Sequence, residues 1–160
     1  MSRARPGTDA PEWFDRVDPA TGQPGLRFSC TMCGNCCSGP PGYVSFTLEE
    51  AQALAARMGV TLERFMHEYT HDTPAGPSLR EVQGEFGLDC VFLDRTTMPG
   101  KALCGVYQDR PSQCRTWPFW DGNLRSEADW KRAGRTCPGL NNGTQYTPLQ
   151  IRLIRAEDRA

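Results

Sequence analysis

The sequence predicts a small α+β domain, an irregular fold of short helices and a β-hairpin whose centre is stapled by metal. Three observations carry that expectation. The chain of 160 residues holds eight cysteines, four of them packed into CTMCGNCC at positions 30–37. Two consecutive stretches, opening at Thr47 and Thr61, carry helix-start signals followed by apolar residues at helical spacing. Two apolar runs, DCVFLD at 89–94 and ALCGVYQ at 102–108, flank the turn-forming TTMPGK and read as a hairpin.

The elements follow in order. Residues 1–26, rich in Pro, Gly, Asp and Arg and without a hydrophobic period, predict a mobile leader on which Trp13 and Phe14 are the groups able to dock. Residues 27–140 form the expected cysteine-cluster domain. Within it Tyr43 to Phe46 predicts a short strand, and Thr47 with Glu50 makes a capping box for a helix that Gly59 ends. Thr61 caps a second helix over 62–71, with Leu62, Phe65, Met66 and Tyr69 on one face before Pro74 stops it. A weak strand signal falls at Leu79 to Val82, and the hairpin that follows would bring Cys90 and Cys104 together. Pro111 opens a short helix carrying Cys114, and Ser126 with Asp129 opens another. Residues 141–160 form a tail whose Thr147 and Pro148 start a terminal amphipathic helix.

Charge narrows the partners. Eighteen Lys and Arg against 19 Asp and Glu leave a net charge of -1, which gives no sequence-level case for nucleic acid or for an anionic membrane surface. No apolar run approaches bilayer length, and none follows the early arginines, so a cytoplasmic protein with reduced thiols is expected. In a reducing compartment clustered cysteines point to metal ligands or catalytic thiols before disulfides.

Two inorganic readings compete for Cys30, Cys33, Cys36, Cys37, Cys90, Cys104, Cys114 and Cys137. The run Cys30, Cys33, Cys36 has ferredoxin-like C-x2-C-x2-C spacing, and Cys137-Pro138 offers the remote Cys-Pro that completes a [4Fe-4S] site. A C-x2-C followed by Gly34 is equally a zinc knuckle, because zinc accepts any four thiolates in a tetrahedron. Spacing alone assigns Cys30, Cys33, Cys36 and Cys137 to one centre and Cys37, Cys90, Cys104 and Cys114 to a second.

FSCTMCGNCC, CVFL at 90–93, CGVYQDRPSQCRTWPF at 104–119 and CPG at 137–139 together resemble the YkgJ-type cysteine cluster proteins, described as zinc- or iron-chelating domains. The resemblance covers roughly residues 27–140 and fills all eight cysteine positions of the family pattern. It implies metal ligands; members carry the labels of iron–sulfur oxidoreductases or metal chelators, and a related cluster occurs in flagellin lysine methylases. It specifies no reaction.

Arg110 and Arg115 are the candidate cofactor-binding cations, placed to balance the surplus negative charge of a thiolate site. Trp117, Pro118, Phe119 and Trp120 form either an apolar lid or simple core, and Tyr107 either donates to a sulfur or packs. A literal HExxH, His67-Glu68-Tyr69-Thr70-His71, offers a hydrolase alternative if both histidines share one helix face. The sequence therefore predicts an iron protein, iron–sulfur ahead of zinc, with a redox role and an electron donor or other protein partner. A structural zinc adaptor is the alternative, and whether the protein is an enzyme stays open, an iron–sulfur oxidoreductase being the named candidate.

Overall fold

The computed structural model describes residues 10–158 and is a mixed α+β domain of short helices and small antiparallel sheets. From the N-terminus, β1 (Val17–Asp18) and β2 (Gln23–Pro24) make a tight hairpin, and β3 (Leu26–Phe28) leads into the cysteine loop. The short strand β4 (Ser38–Gly39) leaves that loop, and helices α1 (Leu48–Met58) and α2 (Leu62–Tyr69) follow. Two hairpins come next, β5 (Thr70–Thr73) with β6 (Gly76–Leu79) and β7 (Glu81–Gly84) with β8 (Gly87–Cys90). After β9 (Leu93–Asp94) and β10 (Leu103–Cys104) come α3 (Ser112–Thr116), α4 (Asp121–Leu124), α5 (Glu127–Ala133), β11 (Thr144–Tyr146) and α6 (Pro148–Glu157).

Two hydrophobic clusters form. The first gathers Phe14, Leu26, Phe119, Leu124, Trp130, Cys137, Leu140 and Ile151. Phe119 stacks on Trp130 at 5.8 Å between ring centroids, an arrangement that adds about 1 kcal/mol to plain burial. The second gathers Ala51, Leu54, Ala55, Phe65, Leu79, Phe92 and Val106 beneath α1 and α2, with Phe65, Tyr69 and Phe92 stacked against one another.

The expected leader docks on the domain over its described part. Residues 1–9 lie outside the described residues, but Phe14 is 1% exposed and Trp13 donates its indole N–H to the carbonyl of Leu124 at 2.8 Å. Arg152 and Arg155 on α6 donate to the Glu12 carboxylate at 2.9 and 2.6 Å, and β3 pairs with β11, Phe28 opposite Thr144. Polar composition concealed this docking, because two aromatic side chains and one carboxylate suffice to anchor the segment. The C-terminal tail joins the same core through Ile151, which is fully buried.

The predicted capping box forms at Thr47/Glu50, a second one at Thr147/Gln150 starts α6, and Gly59 ends α1 in the left-handed region at φ 66°. Three local expectations change. The second helix stops at Tyr69, not at residue 71, because Thr70–Thr73 is drawn into the hairpin with β6, which buries Leu79. Tyr43 to Phe46 has no ladder partner; Val44 N–H instead donates to the Ser78 hydroxyl, and Ser45 N–H to the Gln113 side chain. The run 89–94 is split into β8 and β9 by a turn that sends Phe92 into the second core.

Candidate metal centre

The cysteine loop is shaped by its glycine. Gly34 sits at φ 77°, and a Cβ there would come within 2.6 Å of the Ala102 Cβ, so only glycine fits without displacement. It opens a single 3-10 turn, Asn35–Cys37, closed by the Cys37 N–H on the Gly34 carbonyl at 2.9 Å. The turn sets the Cys36 and Cys37 sulfurs 3.6 Å apart. Asn35 then fastens the loop to the segment before Cys137 by donating to the Thr136 carbonyl at 2.6 Å.

Neighbouring elements deliver the other thiols. Ser38 lies opposite Asp89 in the β4–β8 pair, which places Cys37 beside the strand that ends in Cys90. The predicted hairpin exists as β9–β10 with Cys104 opposite Leu93. Cys114 rides on α3, whose start is held by Glu50: its carboxylate accepts the Ser112 N–H at 2.6 Å and the Thr47 N–H at 2.9 Å. One side chain thus caps α1 and anchors the helix bearing Cys114. Glu50→Ala is expected to cost about 3 kcal/mol in urea unfolding, since it strips a charged acceptor from two backbone donors, and to reduce metal retention in the same protein.

The thiols face one cavity of about 330 Å³, bordered by Cys30, Cys36, Cys37, Cys90, Cys104 and Cys114 together with Tyr43, Phe92, Tyr107, Trp117, Trp120 and Arg110. Cys33 and Cys137 stand apart from it. Cys137 is 8% exposed within the first core, feels the charge of Cys33 and lies against the Trp117 indole. The cavity thus sets Cys36 beside Cys37, Cys90, Cys104 and Cys114, with Cys30 still in company, whereas spacing put it with Cys30, Cys33 and Cys137.

Electrostatics divide the thiols. A hydrogen bond from Cys37 brings Cys36 down to about 7 against the opposing effect of burial, with help from the Arg110 charge, and leaves Cys37 held protonated. Burial pushes Cys90 up to about 11 and Cys114 up to about 12, and raises Cys104 as well. Loading a cation here must expel protons, so binding strengthens as pH rises. Among the described residues no three His, Cys, Asp or Glu side chains already converge tightly enough to clamp an ion. The donor chemistry still fits a soft or borderline metal, being soft sulfur in a largely apolar enclosure.

The two candidate arginines separate. Arg110 borders the cavity with its guanidinium 3.8 Å from the Tyr107 ring centroid. Arg115 is engaged by Glu50 at 3.6 Å and by the Arg110 carbonyl, and does not border the cavity. Trp117 and Trp120 line the cavity as an edge-to-face pair, while Phe119 is core. The HExxH motif is broken by the fold: His67 is on α2, His71 on β5, and Glu68 is paired with Arg64 at 2.8 Å.

Sequence reasoning missed Arg95 and Asp89. Asp89, 7% exposed, takes Arg95 on both carboxylate oxygens at 3.0 and 3.2 Å, which sets a second guanidinium beside Gly34 and close enough for Cys37 to perturb it. Opposite charges six residues apart in DCVFLDR are the signal, legible only once the turn at Phe92 is known.

A small α+β domain that gathers thiols from a loop, two hairpins and a helix around one cavity defines a metal-chelating cysteine-cluster protein. The CxxCxxCC family model, described as "Putative zinc- or iron-chelating domain", matches residues 29–138, and the chain belongs to this family. No solved structure matches the chain. Among the described residues no helix is long and apolar enough to cross a membrane.

Proposed function

We propose that this protein carries iron as an iron–sulfur centre held by thiolates of Cys36, Cys37, Cys90, Cys104 and Cys114, with Arg110 offsetting their charge. The observation that carries the reading is the gathering of these five thiols, together with Cys30, around a single cavity of about 330 Å³. One zinc ion needs four thiolates and no such space. An iron–sulfur centre would supply electron transfer. The chain's own contribution is a dry, aromatic wall from Trp117 and Trp120 and a nearby fixed cation, both of which tune a reduction potential. In this reading the protein works in the cytoplasm and exchanges electrons with a protein partner.

Zinc is the second reading, favoured by Cys33 and Cys137. That pair stands outside the cavity where the cysteine loop meets the first core, and with two further thiolates from the loop it would form a structural staple that replaces missing packing. Iron, zinc and acid-labile sulfide per chain, measured on protein purified without oxygen, decide between them. Iron with matching sulfide supports the redox reading, and zinc without sulfide replaces it with the staple.

A further inference from the structure

Among the described residues two buried side-chain polar atoms lack a hydrogen-bond partner, the hydroxyls of Thr31 and Ser38. Thr31 lies within the cysteine run, directly after Cys30, and Ser38 directly follows its last member, Cys37. A buried hydroxyl without an acceptor is costly, and folded proteins rarely leave one unpaired without a reason. Ser38 borders the thiol-lined cavity, and Thr31 adjoins Cys30, which borders it as well, so sulfur is the acceptor the site brings to this part of the chain. A neutral thiol accepts hydrogen bonds weakly, whereas a metal-bound thiolate is fully deprotonated and accepts strongly. Ser38 also faces Asp89 across the β4–β8 pair, close enough for its hydroxyl to help lower the Asp89 carboxyl, though no hydrogen bond of normal geometry closes between them.

We infer that Thr31 and Ser38 are donors reserved for the loaded centre, giving their O–H groups to metal-bound sulfur and so strengthening metal retention. The inference rests on the metal-binding reading above. It has an unusual thermodynamic sign. In the metal-free protein each hydroxyl is a liability, and in the loaded protein it is an asset.

The test uses Thr31→Val and Ser38→Ala in the full chain, with Thr31→Ser and Ser38→Thr as variants that keep the donor. Each protein is titrated with zinc(II) against a chromophoric chelator, or reconstituted with ferrous iron and sulfide if that is what the purified protein carries. The metal-free forms are unfolded in urea. Loss of either donor is expected to weaken metal binding about tenfold, with the metal-free midpoint unmoved or raised and affinity restored in the donor-keeping variants. Unchanged affinity overturns the inference, as does a metal-free midpoint that falls alongside the affinity, which marks an ordinary packing role. A wild-type chain that takes up neither zinc nor iron overturns the metal-binding reading itself.

Discussion

Cys114→Ser is expected to empty the centre, with metal per chain falling at least about tenfold, a loss larger than the outer partners of a ligand typically cause. Cys114 is delivered by a five-residue helix fixed at its start by Glu50, and its thiol lies within electrostatic reach of Cys36, Cys90 and Cys104. Oxygen cannot replace sulfur as a soft ligand, so serine preserves shape and removes affinity. The informative control is Cys33→Ser. Because Cys33 does not border the cavity, metal at the five-thiol site should survive that change. Equal losses from both variants would show that the loop acts as one unit and would refute the separation drawn above.

Stripping the metal with a chelator under reducing conditions is the second large effect expected. A ligand that binds only the folded state stabilises it by about 4 kcal/mol when present at a thousand times its Kd, and that increment disappears on removal. The loss should be local. Residues 30–39, 88–94 and 102–116 hold the thiols through short ladders of two to four residues, whereas Leu54, Phe65, Phe119 and Ile151 sit in cores that need no metal. Amide hydrogen exchange should therefore quicken by orders of magnitude around the cysteines and much less in α1 and around Ile151. Uniform loss of protection would mean that the two cores do not hold without the ion.

How much of this was legible in the sequence depends on range. Thr47/Glu50, the Thr147-Pro148 start and Gly59 act within one helical turn, so their roles are readable from spacing. The proximity of Cys90 and Cys104 was readable because a turn signal lies between them. The end of α2 was not, since Thr70 chooses between helix and hairpin according to a partner, Leu79, nine residues on. The position of Cys36 was hidden for the same reason. Spacing ties it to Cys33, but the 3-10 turn after Gly34 carries it alongside Cys37 toward strands and a helix more than fifty residues away. Arg95 and Asp89 escaped notice because an ion pair across a chain reversal has no period to announce it.

The clamp of Glu12 by Arg152 and Arg155, together with the β3–β11 pair, has a consequence for engineering. Entry and exit of the described chain lie side by side, so the domain asks for little more room at its base than a surface turn does. Spliced into an exposed loop of an unrelated host, it should leave the host's two flanking residues where they were, which makes this fold a cassette for installing a thiol-rich metal centre.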